Sequence, residues 1–264
     1  MEKGAMKYLR KLALTVCCLF SLSLHAETAG RVVSVMPVVH LIAQELLQDT
    51  GIDVVFLAPE RLPINRISGW LRRVDSQSLT EADVVITVES VWPSLELYPL
   101  MRTLSIRTIP IDLATELSPG GARVLMRPDA ALESEFFWLD LNNLTQMINV
   151  AARDLGRVWP EHATTIDQNR FALQRAIQQT QIRIDNQLAE SGVTTLSLAD
   201  ERLMPLAYTL GIPLVADAGD LLMTSTPEPD TESIWVIETL QRLSVGSLPE
   251  WLVSLEAAIQ VNRP

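Results

Sequence analysis

The fold of this chain is decided by residues 136–192, which read FFWLDLNNLTQMINVAARDLGRVWPEHATTIDQNRFALQRAIQQTQIRIDNQLAESG. Its first half predicts a helix, with Asp140 or Asn142 supplying an N-cap oxygen. The apolar positions of that helix are Leu144, Met147, Ile148, Ala151, Leu155 and Val158. Trp159-Pro160 interrupts the pattern, because a proline ring clashes with the preceding turn. The stretch therefore predicts two consecutive helices.

The second of these helices is the longer one. Its apolar positions are Ile166, Leu173, Ile177, Ile184 and Leu188. Ser191-Gly192 offers a left-handed stop just past the helix end. A helix from about His162 to Ala189 rises ~1.5 Å per residue and reaches roughly 40 Å, which is more than one small domain needs. We therefore expect it to bridge two domains.

Strand-like segments lie on both sides of the helical stretch. The predicted strands before it are 31–36, 53–57, 83–88 and 106–111, and those after it are 193–198, 212–215 and 234–237. Runs of Val, Ile and Leu that alternate with helices are typical of parallel sheets covered on both faces. The predicted fold class is α/β, with two lobes of parallel sheets flanked by helices and joined by a long spine helix.

The N-terminus predicts export. Lys7, Arg10 and Lys11 precede an apolar run from Leu12 to Leu24, and Ala26 offers a small residue for cleavage. This run of about thirteen residues is shorter than the ~20 needed to cross a bilayer. We expect a cleaved signal peptide and a periplasmic mature chain; an uncleaved anchor is the alternative.

The predicted domains follow from these patterns. They are a signal peptide at 1–26, an N-terminal α/β lobe at 27–135, a helical spine at 136–192 and a C-terminal α/β lobe at 193–264.

Composition excludes several kinds of chemistry. Cys17 and Cys18 lie in the predicted signal peptide, as does every lysine, so the mature chain has no thiol and no Schiff-base or P-loop lysine. The formal charge of −11 disfavours nucleic acid and anionic membranes as partners. Because no catalytic motif is present, we expect no enzyme; a dispersed pair of carboxylates is the alternative.

Five segments recur in a recognisable order. They are RVVSVMPVVHLIAQEL (31–46), LTEADVVITV (79–88), FFWLDL (136–141), WPEHATTIDQNRFALQ (159–174) and LAYTLGIPLV (206–215). Over this span the chain resembles the periplasmic solute-binding proteins of zinc and manganese ABC transporters. The resemblance implies a monomer that captures a ligand between two lobes and delivers it to an ABC permease in the inner membrane. The alternative is a paralogue without high-affinity metal binding that acts as an accessory or partner-binding protein.

The resemblance also implies where metal ligands belong. In that family nitrogen and oxygen side chains from four loops hold the metal. The first two histidine positions correspond to Ile64, with Arg66 as another counterpart, and to Phe136. None of these side chains can bind a cation, so the chain departs from the family at both positions. The third position corresponds to Asp200, which can coordinate a divalent metal or act as an N-cap.

The remaining candidates are carboxylates. The family's late aspartate corresponds to Asp217 or Asp220, although the tail after Asp217 is shorter than the family pattern, and we expect part of the second lobe to be missing or reduced. Glu89 follows the third predicted strand, and Glu201 adjoins Asp200. We expect Glu89, Asp200, Glu201 and Asp217 to line the ligand cleft. A divalent metal is the candidate transported ligand, and no resident cofactor is predicted.

Overall fold

The computed structural model describes residues 30–116, 118, 120–128, 130–227 and 233–261. The predicted signal peptide, residues 1–26, lies outside these ranges. Within them, no helix combines the length and apolar character needed to cross a bilayer.

The first lobe alternates strands with helices. Its elements are β1 (Arg31–Ser34), α1 (Pro37–Leu46), β2 (Asp53–Phe56), α2 (Ile64–Leu71), β3 (Val84–Thr87), α3 (Leu97–Leu104) and β4 (Ile109–Asp112). The strands are parallel in the order β2-β1-β3-β4. The helices supply the crossovers that parallel pairing requires.

Burial explains the order of this sheet. β3 is buried along its whole length and β1 over its last three residues, and both contain consecutive valines. The edge strands β2 and β4 are partly exposed. Pro110 is tolerated in β4 because an edge strand has one side without ladder hydrogen bonds.

Two helices form the spine, α4 (Leu141–Val158) and α5 (Ala163–Glu190). Asp140 caps α4 by accepting a hydrogen bond from the Asn142 amide at 2.8 Å. All the predicted apolar positions are buried except Val158, which is half-buried. A 3-10 turn at Pro160–His162 separates the helices. The 28 residues of α5 span about 40 Å, as predicted.

The second lobe contains β5 (Leu196–Leu198), α6 (Met204–Leu210), β6 (Leu221–Thr224), β7 (Ile234–Val236), α7 (Leu248–Ala257) and β8 (Ile259–Gln260). The sheet order is β5-β6-β7-β8; the first three strands are parallel and β8 is antiparallel. Gly211 ends α6 with φ of 66°, the left-handed conformation that favours glycine. The predicted two-lobed α/β fold is confirmed.

Two local predictions were wrong. The segment 212–215 is no strand of the sheet, because it meets β5 only in a single bridge between Leu214 and Leu196. Pro213 has no N–H to extend that pairing. The second strand of this lobe is instead β6. In the first lobe, helix α2 begins at Ile64, whereas the two prolines of the segment 58–67 predict a loop there.

Candidate functional site

The second sheet opens on a cleft between the lobes. Asp200 follows β5, Ser225 follows β6 and Glu238 follows β7, so all three lie at the carboxyl ends of parallel strands. Ligands of open α/β sheets bind at this edge. Ser225 and Glu238 line a cavity of about 360 Å³, together with Arg202, Arg242 and Pro63. Pro63 belongs to the first lobe, so the cavity lies between the lobes.

Arg202 and Asp200 form the main ion pair of this cleft. Arg202 Nε donates to Oδ1 and Oδ2 of Asp200 at 2.9 and 3.1 Å, and Nη2 donates to Oδ2 at 2.8 Å. The Arg202 amide donates to Oδ1 at 3.0 Å, and Ser225 Oγ donates to Oδ2 at 3.2 Å. Both oxygens of Asp200 are therefore engaged by the protein.

The charge state of the pair follows from these contacts. Desolvation raises the pKa of Asp200, but the hydrogen bonds and positive charge of Arg202 outweigh it and hold the pKa below its ordinary value. The hydrogen bond to Asp200 raises the pKa of Arg202. Both groups are therefore charged at neutral pH.

The ring of Phe136 lies against the guanidinium of Arg202. The guanidinium carbon of Arg202 is 4.9 Å from the centroid of the Phe136 ring, within cation–π range. The Phe136 amide donates to the Arg202 carbonyl at 3.2 Å. Phe136 and Asp200, which the sequence places at two ligand positions of the family, thus meet on Arg202. A guanidinium lies where those positions converge.

Ile64 also reaches the interface between the lobes, through its backbone. Its amide donates to the Gln241 carbonyl at 2.8 Å, and the Leu243 amide donates to the Glu60 carbonyl at 3.1 Å. The Ile64 side chain is buried and apolar. This position therefore supplies a hydrogen bond between the lobes but no metal ligand.

A buried aromatic cluster lies where the two lobes meet the entry of the spine. Trp138 lies 5.8 Å from Trp92, 5.2 Å from Phe136 and 5.3 Å from Phe137 between ring centroids. Trp138 Nε1 donates to the Thr239 carbonyl at 3.0 Å. Since Trp92 belongs to the first lobe and Thr239 to the second, the cluster ties the two lobes to the entry of the spine.

Glu89 does not line the cavity, contrary to the prediction. It lies at the carboxyl edge of the first sheet, where its Oε1 accepts a hydrogen bond from the Tyr98 amide in the first turn of α3, at 3.0 Å. Desolvation raises its pKa, although the amides of Tyr98 and Leu97 oppose the shift. The carboxylate therefore accepts one of the backbone N–H groups that a helix N-terminus leaves without an intrahelical partner. Glu201 is exposed and also lies outside the cavity lining.

Asp217 does not line the cleft either, and this prediction is corrected. Asp217 is exposed, and the loop that contains it enters β6 at the amino edge of the sheet. The four residues of β6 rise ~3.3 Å each, so roughly 10 Å separate the two edges. Asp220 stabilises that edge by accepting hydrogen bonds from the Thr194 hydroxyl and from the Thr194 and Thr195 amides, which lower its pKa to about 2.

No group of three or more His, Cys, Asp or Glu residues that could hold a metal ion occurs in the described ranges. His40 is buried at 7% exposure, with its ring 5.3 Å from that of Phe56. Desolvation lowers its pKa to about 4. His162 lies at the break between the spine helices.

Arg202 and Glu238 are among the cavity residues that the sequence did not predict. Arg202 stands two positions after Asp200 in the same strand-end loop, and Glu238 follows a predicted strand directly. A rule that examined every polar residue after a predicted strand would have found both. Their meeting in one cavity depends on long-range folding, which no local pattern reports.

Comparisons with known proteins support the fold. No protein-family model matches the sequence, and no curated protein matches it. Solved structures do match. A zinc-bound variant of AdcAII from Streptococcus pneumoniae superposes with a TM-score of 0.60 at 14% identity, covering 87% of this chain and 96% of that one.

Two further structures agree. The metal-dependent lipoprotein YcdH from Bacillus subtilis gives a TM-score of 0.60 at 12% identity, covering 88% of this chain and 99% of that one. A periplasmic metal-binding protein from Candidatus Liberibacter asiaticus gives 0.58 at 12% identity, covering 87% and 99%. The chain therefore has the two-lobed fold of these metal-binding proteins. At such identities the likeness establishes the fold alone.

Proposed function

We propose that this protein is a periplasmic solute-binding protein that captures a small solute between its lobes and delivers it to an ABC permease in the inner membrane. The observation that carries the proposal is the cleft. It lies at the carboxyl ends of the strands in a fold that matches metal-binding proteins along almost the whole of their chains. The tightly packed helices α4 and α5 restrict how far the lobes move.

We propose that the captured solute is not a divalent metal ion bound by the side chains that the resemblance implies as ligands. Both oxygens of Asp200 are engaged, and the guanidinium of Arg202 lies beside them. Two unit charges 4 Å apart repel by about 4 kcal/mol at an effective dielectric of 20, and a divalent ion doubles the repulsion. A metal at Asp200 must therefore overcome that repulsion and also displace the arginine.

Two measurements test this proposal. Isothermal titration of the metal-stripped mature protein with zinc and with manganese is expected to show no submicromolar binding. Submicromolar metal binding that is abolished by Asp200→Ala would instead identify the protein as a metal receptor. In-cell cross-linking of the tagged protein followed by mass spectrometry is expected to recover ABC permease subunits, and recovery of non-transport proteins alone would contradict delivery.

A second candidate is an accessory, partner-binding protein without a transported solute. The hydrogen bonds of Ile64 to Gln241 and of Leu243 to Glu60 favour it, because they join the lobes through backbone groups. Hydrogen exchange at the Ile64 and Leu243 amides separates the candidates. Solute capture requires these amides to open and exchange well before global unfolding, whereas a permanently closed body protects them to the global limit.

A further inference from the structure

The cavity between the lobes contains guanidinium groups with unused donors. Asp200 takes up Nε and Nη2 of Arg202, while Nη1 has no hydrogen-bond partner in the part of the chain that the structure describes. The Arg242 side chain likewise forms no hydrogen bond or ion pair with the described residues. A guanidinium only donates hydrogen bonds, so neither arginine can serve as a partner for the other. Both therefore present N–H donors to the same cavity.

The ion pair prepares Arg202 for a ligand. The forked hydrogen bonds to Asp200 fix the plane of the guanidinium, and the Phe136 ring 4.9 Å away supports it. A guanidinium that is already oriented loses less conformational freedom when a ligand binds its free edge. Asp200 therefore acts as a positioning residue.

The polar lining of the cavity matches an oxygen-rich anion. Arg242 supplies a charged fork that suits carboxylate and phosphate oxygens, and Thr226 supplies a hydroxyl. Glu238 opposes an anion, and its Oε1 accepts a hydrogen bond from the Leu240 amide at 3.0 Å, but the two arginines of the lining outnumber this one carboxylate. The cavity volume of about 360 Å³ is at the small end of ligand pockets, which excludes large solutes.

We propose that this cavity binds a small oxyanion, a carboxylate or a phosphate group, between Arg242 and the free edge of Arg202. The inference rests on the proposed function, since it names the class of solute that the lobes capture. The arginine that excludes a metal from Asp200 is then also a recognition element.

The test uses isothermal titration of the intact mature protein with succinate and, separately, with inorganic phosphate. The expected result is saturable binding of at least one probe, which identifies the chemistry as carboxylate or phosphoryl. Arg242→Gln should weaken that binding about tenfold or more, because a charge-assisted hydrogen bond is lost. Arg107→Gln is the matched control, since Arg107 is exposed and lies outside the cavity, and it should leave binding unchanged.

Arg202→Lys provides a second variant, because it retains the charge but loses the fork, and it should also weaken binding. The proposal is overturned if neither probe binds. It is also overturned if a probe binds and Arg242→Gln leaves that binding unchanged. The outcome is distinguishable from failure of the proposed function. Permease cross-links without oxyanion binding remove only the oxyanion site, whereas oxyanion binding without permease cross-links removes only the delivery step.

Discussion

Arg202 and Asp200 form a forked ion pair at the carboxyl end of β5, and the same guanidinium rests on the ring of Phe136. Phe136 is separated from the pair by more than sixty residues of sequence that include the whole spine. The Arg202 guanidinium thus links Phe136, at the entry of the spine, to Asp200 in the second lobe.

The pair should contribute modestly to stability. A double-mutant cycle of Asp200→Ala and Arg202→Ala is expected to give a coupling of about 1 kcal/mol, because Arg202 is half exposed and solvent screens the pair. Urea denaturation followed by circular dichroism measures it. A coupling near zero would mean that the pair does not persist in solution.

The buried His40 should make the protein sensitive to mild acid. Its pKa falls from 6.5 to about 4 on folding, so the folded state favours the neutral ring. Stability is therefore expected to decline as the pH falls below 6.5 and to level off below about 4, with a loss on the order of 2 kcal/mol at pH 4.5. Denaturant unfolding at pH 7 and 4.5 measures the loss.

His40→Gln should reduce that difference between the two pH values, while His162→Gln, at the half-buried break of the spine, serves as the control. An equal pH dependence in His40→Gln and the unmodified protein would assign the acid sensitivity to other groups.

Asp220 should also make the protein less stable in acid, but through its hydrogen bonds and not through desolvation. Hydrogen bonds from Thr194 and Thr195 lower its pKa from 3.8 to about 2, so its stabilisation is complete above 3.8 and is lost as the pH falls towards 2. Asp220→Asn is expected to lower the melting temperature at pH 7 more than at pH 2. Asp217→Asn, in the same loop and exposed, is the matched control. Equal effects of the two variants would contradict the role of the Thr194 contacts.

Trp138 should contribute a hydrogen bond between the entry of the spine and the second lobe in addition to its packing. Trp138→Phe leaves the buried Thr239 carbonyl without the Nε1 donor that lies 3.0 Å away. We expect a loss of about 1–3 kcal/mol, beyond the cost of the smaller ring. Trp92→Phe is the control, because it removes a comparable ring from the same cluster without a hydrogen bond to Thr239. Equal losses in the two variants would show that packing alone matters.

The spine could be predicted almost residue by residue. The apolar positions from Leu144 to Leu188 repeat at helical spacing, and the break at Trp159 follows from the adjacent proline. These signals are local, so neighbours a few residues apart suffice to specify them. The strands were harder, because a run such as Leu221–Thr224 is too short to distinguish from loop by periodicity.

The candidate site could be predicted only in part. The sequence located Asp200 correctly at a strand end and showed that Ile64 and Phe136 cannot bind a metal. It misplaced Asp217, because the edge of the sheet at which a loop lies depends on the direction of the next strand, and the strand assigned there, 212–215, was wrong.

By itself, then, the sequence determined the long helical spine and the α/β class of both lobes, and it predicted Ile64 and Phe136 where the resemblance implies histidine. Only the tertiary structure decided which side chains surround Phe136 and Asp200. It placed Arg202 on Phe136, joined it to Asp200 and brought Arg242 and Pro63 to the same cavity. The reason is physical: helical periodicity is written among near neighbours, whereas the charge of a cleft depends on which distant loops meet once both sheets have formed.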